Sequence, residues 1–175
     1  MRRATVVMIG IAMLLVLTAC GGDAARPIVA KEPALDAGMY WVHVESGRSY
    51  IATGETQVAA GPQSDYQVIF DVADDAGELF ARVILFVPSD ARPDTYTLCP
   101  QVTYDVGGCA PRTIGVGYQQ LVSGALLQPD EFASGEVTLD EADGLSGSFQ
   151  FYVNFFDANE GAEVSGAFKQ LMPLQ

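Results

Sequence analysis

The chain predicts an all-β domain, a single antiparallel β-sandwich or curled barrel of about eight to ten strands. Two observations carry this expectation. In the last third, apolar and polar residues alternate with a period of two through three successive runs joined by short polar turns. Upstream, short apolar runs are bounded by Gly, Pro, Asp and Ser, and no long helical period follows residue 37.

Tyr40 to Val44 places Tyr40, Val42 and Val44 on one face and Trp41 and His43 on the other, and Tyr50 to Thr53 is a weaker return strand. Tyr66 to Val72 aligns Tyr66, Val68, Phe70 and Val72. Leu79 to Val87 is apolar on both faces apart from Arg82, as a central strand should be. Between them, Ala73-Asp74-Asp75-Ala76-Gly77 has hairpin-turn composition. Thr95 to Leu98 follows a Pro93-Asp94 turn start, and Thr113 to Leu121 is a strand weakened by Gly115 and Gly117.

The closing meander is the clearest part. Gly135 to Leu139 points Val137 and Leu139 inward. Leu145 to Phe155 lines up Leu145, Gly147, Phe149, Phe151, Val153 and Phe155, with Ser146, Ser148, Gln150 and Asn154 on the other face. Val164 to Leu171 turns Val164, Gly166 and Phe168 inward and Glu163, Ser165 and Lys169 outward.

The N-terminus carries an address. Met1-Arg2-Arg3 is a positive start, and Val6 to Leu17 is an apolar core too short for the roughly 20 residues that span a bilayer. Leu17-Thr18-Ala19-Cys20 closes it and resembles the lipobox of bacterial lipoproteins. That resemblance implies cleavage before Cys20 and diacylation of its sulfur. Two or more acyl chains hold a protein on a membrane, because each buried methylene contributes about 0.8 kcal/mol. Residues 1-19 are therefore expected to be a signal peptide, 20-37 a flexible linker reaching about 20 to 25 Å, and 38-175 the β domain. The expected location is the bacterial cell envelope, outside the cytoplasm.

Nine basic and 22 acidic residues give a net charge of −13. Losing the signal peptide removes Arg2 and Arg3 and no acid, leaving −15. Such a surface excludes nucleic acid and anionic headgroups as partners, since both require clustered cations. With Cys20 assigned to lipid, Cys99 and Cys109 form an even pair in an oxidising compartment, and a disulfide is expected.

A second resemblance rests on Asp94-Thr95-Tyr96-Thr97-Leu98, Ser134-Gly135-Glu136-Val137-Thr138-Leu139, Leu145-Ser146-Gly147-Ser148-Phe149-Gln150-Phe151 and Val164-Ser165-Gly166-Ala167-Phe168. Together they are similar to a pattern in uncharacterised small all-β bacterial lipoproteins, over about Tyr40 to Leu171. Asp94 stands where that family tends to have Gly, and the stretch from Cys99 to Cys109 is an insertion. The resemblance implies a fold and an envelope location.

No catalytic constellation is legible. The single histidine, His43, lies in a strand beside Trp41, and Gly144-Leu145-Ser146-Gly147 lacks nucleophile-elbow spacing. Acidic groups (Asp71, Asp74, Asp75 and Glu78; Asp140, Glu141 and Asp143; Asp157, Asn159, Glu160 and Glu163) coincide with turns, where Asp and Asn serve backbone geometry. Asp157, Asn159 and Glu160 begin like a calcium loop, but Phe168 stands where the bidentate Glu belongs, so no metal and no cofactor are expected. Trp41, Phe80, Phe86, Tyr152 and Phe156 fall opposite the core stripe of their strands, either lining a ligand groove or buried on a second face. The expected function is non-catalytic: binding of a protein, a glycan or a small apolar ligand, or a structural role. The alternatives are an envelope polysaccharide hydrolase using paired carboxylates and a calcium-stabilised adhesion or interaction module.

Overall fold

A computed structural model describes residues 33-55, 57-60, 66-100, 112-141, 145-156, 158 and 160-171. Among them there is no helix. Eleven strands follow one another: β1 (Met39–Glu45), β2 (Ser49–Glu55), β3 (Gln57–Ala60), β4 (Tyr66–Ala73), β5 (Leu79–Val87), β6 (Asp94–Pro100), β7 (Thr113–Val122), β8 (Ala125–Leu127), β9 (Glu131–Glu141), β10 (Leu145–Phe155) and β11 (Glu160–Leu171). All belong to one sheet, in the order β2-β1-β11-β10-β9-β6-β7-β5-β4-β3, with β8 beside β7. The architecture is thus the curled single sheet rather than two stacked ones.

The curl follows from connectivity. The two terminal strands of the path, β2 and β3, are consecutive in the chain and separated only by residue 56. One run of chain therefore pairs first with β1 and then with β4. The ends meet through side chains as well: the Tyr40 hydroxyl on β1 donates to the Asp71 carbonyl on β4 at 2.8 Å, and Tyr50 on β2 stacks on Phe80 of β5 at 3.7 Å. All pairings along the path are antiparallel except β6 with β7, which run parallel.

The concave face encloses the core. Phe70 reaches across it from β4 to Phe149 on β10 and Phe168 on β11, with ring centroids 5.2 and 5.7 Å away. Tyr118 meets Phe151 edge-on at 5.5 Å, while Val42, Val44, Val68, Val83, Leu85, Ile114 and Val164 are fully buried around them. The alternation expected for β1, β4, β10 and β11 is observed, and β5, expected apolar on both faces, lies between β4 and β7, paired on both edges.

Glycine and aromatic residues pair in register across this inner face. Tyr40 faces Gly54, Phe168 faces Gly147, Phe149 faces Gly166 and Phe151 faces Gly135. At Gly54 and Gly166 the partner ring occupies the space a side chain would take. A Cβ at Gly166 would lie 2.5 Å from Phe149 Cζ, and one at Gly135 would lie 2.6 Å from Phe151 Cβ. The missing side chains let large rings lie flat on neighbouring backbone, which fills a tightly curved interior without crowding it.

Three features depart from the expectations. β3 and β8 were not legible as strands; β8 is joined to β7 by Ser123 and Gly124, both at positive φ (51° and 86°), as a two-residue hairpin turn requires. Ser146, expected outside, is 6 % exposed, because a register shift at Leu145/Gly147 turns it inward, where its hydroxyl accepts from the Gln170 amide at 2.9 Å. Finally, Asp94–Pro100 inserts between β9 and β7.

Candidate functional site

The sequence candidates disperse over the surface. His43, half-buried on the outer face of β1, has Nε2 2.7 Å from Ser49 Oγ and 3.5 Å from Glu45 Oε2. A Ser, a His and an acid are thus adjacent. Both contacts, however, engage the same ring nitrogen, whereas a catalytic relay places the serine and the acid on opposite nitrogens. Trp41 stacks against the ring at 6.2 Å, and the group reads as a cross-strand polar cluster of the β1–β2 hairpin.

Only some of the acidic residues expected at turns serve one; Asp140 and Glu141 end β9, and Glu160 and Glu163 belong to β11. Asp74 Oδ1 accepts from the amides of Ala76 and Glu78 at 2.9 and 3.0 Å and closes the β4–β5 turn, where Gly77 takes a positive φ of 82°. Asp71 receives a two-pronged bond from Arg82 at 2.6 and 2.8 Å. Arg112 pairs with Asp94. Glu160 is exposed at the start of β11, while Asp157 and Asn159, like Cys20, lie outside the described residues. Among the described residues, no three His, Cys, Asp or Glu side chains are grouped to hold a metal ion. Cys99 is half-buried on β6 and bonded rather than free. Its expected partner, Cys109, lies outside the described residues.

The five off-stripe aromatics separate into two classes. Trp41, Phe80 and Phe86 are buried, at 7, 7 and 4 % exposure, whereas Tyr152 and Phe156 stand at 41 and 63 %. The exposed pair marks two adjoining hollows of the outer surface. A groove of about 470 Å³ over β9, β10 and β11 is lined by Ser134, Glu136, Gln150, Tyr152 and Glu163. A second hollow of about 350 Å³, lined by Tyr152, Asn154, Phe156 and Glu160, shares Tyr152 with it.

Register explains the convergence. Ser134 on β9, Tyr152 on β10 and Glu163 on β11 form one row across the sheet, and Glu136, Gln150 and Ser165 form the next. A register shift at Tyr152/Val153 gives β9 an extra residue beside the groove, a device that re-aims side chains. Tyr152 leans over Gly161: a Cβ there would collide with the phenol oxygen and lie 3.0 Å from Cζ. The hydroxyl end of the ring thus rests on β11 while the residue remains exposed. Among the described residues neither Glu136 nor Glu163 has an ion-pair partner.

Alternation in the sequence places Tyr152, Gln150 and Glu163 on an outer face, whereas Ser134 and Glu136 enter only as part of a strand motif and Gly161 only as a turn residue. The signal available for them was alternation alone. Joining them required the pairing of β9 and β11 to opposite edges of β10. Fold and groove together define a curled, single-sheet β domain with a polar, acidic, aromatic-floored outer face. No protein-family model, curated protein or solved structure matches the chain.

Proposed function

We propose that this chain is a lipid-anchored protein of the bacterial cell envelope whose β domain binds a partner non-catalytically through the outer groove of β9, β10 and β11. The observation that carries the address is Leu17-Thr18-Ala19-Cys20 behind a short apolar core and two arginines. The fold is compatible with a tether at one end. Gly38, which leads into β1, donates to the Lys169 carbonyl near the end of β11 at 2.8 Å. Tyr152 faces Glu163 and Phe156 lies beside Glu160, so about 20 to 30 Å of strand separates the tether end from the exposed aromatics. Acyl chains on Cys20 would hold the domain by its Gly38 end and present the groove to the envelope space.

One observation favours binding over hydrolysis: His43 lacks the two-nitrogen relay. A Cys99–Cys109 disulfide belongs to the same proposal, in keeping with an oxidising compartment.

Expression in a bacterium followed by detergent phase partitioning and mass analysis of the N-terminal peptide tests the address. The wild-type chain should enter the detergent phase with acyl mass on Cys20, and Cys20→Ser should leave it unacylated and uncleaved. A wild-type chain recovered in the aqueous phase without added mass would overturn the reading.

A further inference from the structure

The geometry points to an extended basic segment of a partner protein as the occupant of the β9–β11 groove, with a lysine or arginine side chain seated on the Tyr152 ring between Glu136 and Glu163; this rests on the binding-domain reading above. Three observations meet there. Tyr152 is 41 % exposed with its hydroxyl end propped on Gly161, which leaves ring surface open to solvent. A cation over an aromatic face is drawn by the ring quadrupole, and arginine adds planar stacking. Two carboxylates line the groove, Glu163 in the row of Tyr152 and Glu136 one row on beside Gln150, without an ion-pair partner among the described residues, in a chain of net charge −13. That field attracts cations and repels acidic glycans and nucleic acid.

Length separates a peptide from a small cation. The two hollows share Tyr152 and run along β10 from Gln150 to Phe156, about 20 Å at the rise of a strand. Six extended residues span that distance, with alternate side chains facing the sheet. One would sit on Tyr152 and another would reach Phe156, which is 63 % exposed, beside Glu160. Gln150, Ser134 and Asn154 supply amide and hydroxyl groups between the charged positions, suited to the backbone of such a segment.

The test uses the full chain in a non-ionic detergent and a fluorescein-labelled hexapeptide of alternating Arg and Ser, read by anisotropy. Binding should occur and should weaken as salt is raised. Tyr152→Ala and the double variant Glu136→Gln/Glu163→Gln should each weaken it by about fivefold or more, while Asp75→Asn/Glu78→Gln, which removes the same charge from the β4–β5 turn, should stay within about twofold. Equal weakening by both double variants would reduce the effect to diffuse charge attraction and overturn the site. So would absence of peptide binding, displacement by spermidine at concentrations equal to unlabelled peptide, or preferential binding of neutral chitotetraose. Circular dichroism of each variant confirms that the sheet is retained. Failure here with Cys20 acylated overturns only the ligand assignment, whereas groove binding by a chain that proves not to be acylated overturns only the address.

Discussion

Gly166→Ala tests the packing logic of the sheet's concave face most sharply. The new methyl carbon would stand 2.5 Å from Phe149 Cζ, 2.8 Å from Phe149 Cε1 and 2.8 Å from the Trp41 carbonyl oxygen. Carbon atoms pack best at about 3.5 to 4.0 Å, so the ring must retreat by about 1 Å. Its retreat is opposed by Phe70 at 5.2 Å and Phe151 at 6.1 Å between centroids, and the Trp41 carbonyl is held in the β1–β11 ladder. Overpacking of this kind costs about 1 to 3 kcal/mol. The gain from removing a glycine from a strand returns at most about 1 kcal/mol, so the variant is destabilised. In urea, with a slope of about 1 to 3 kcal/mol per molar, the midpoint should fall by several tenths to about 1 M. Gly117→Ala is the internal control, since its nearest neighbours, Ile84 Cβ and Phe86 Cε2, lie at 3.6 and 3.7 Å, ordinary contact distances. Its midpoint should be unchanged or slightly raised. Equal shifts for the two variants, monitored by Trp41 fluorescence, would refute the claim that inner-face glycines are there to seat aromatic rings.

Burial raises the Tyr118 phenol well above its ordinary value of 10.0. The unfolded chain then loses that proton first, so the stabilising contribution is complete below pH 10 and is lost as pH climbs above it; urea midpoints measured from pH 8 to 11 should fall in that upper range, and less steeply in Tyr118→Phe. Gln120 is 1 % exposed, accepts from the Tyr118 hydroxyl at 2.7 Å and donates to Ser46 Oγ at 2.9 Å, so Ser46→Ala should cost about 1 to 3 kcal/mol in urea unfolding by leaving a buried amide hydrogen unpaired. The exposed Arg82–Asp71 pair should be worth no more than about 1 kcal/mol in a double-mutant cycle, and less at high salt. Peptide mapping without reduction should recover Cys99 linked to Cys109, and recovery of either residue as a free thiol would refute that bridge.

The legibility of this protein followed the range of the interactions involved. Strand identity is local. The alternation in Leu145 to Phe155 is a property of a pleated backbone with one face in oil, and its bounds match β10 as observed. Leu79 to Val87 likewise announced itself through apolar residues on both faces. Where local chemistry was thin, reading failed: Gln57–Ala60 and Ala125–Leu127 are only four and three residues long, too short for a period of two to stand out. Ser146 was misplaced because a bulge shifts parity by one residue, which no period can foresee.

Sequence by itself determined the all-β class, the order of the main strands, the inward rows of the meander and the strong negative charge. It also supplied the expectation of a lipidated Cys20. Only tertiary structure decided that the sheet curls on itself instead of splitting into two layers, because that depends on β2 and β3 finding partners at opposite ends of the strand order. Tertiary structure alone also divided the off-stripe aromatics into buried and exposed members and gathered Ser134, Glu136, Gln150, Tyr152 and Glu163 into one groove. The physical reason is common to both. Alternation specifies which way a side chain points, but its neighbours are set by register between strands distant in the chain, and register is fixed by how rings and glycines fit together across the finished sheet.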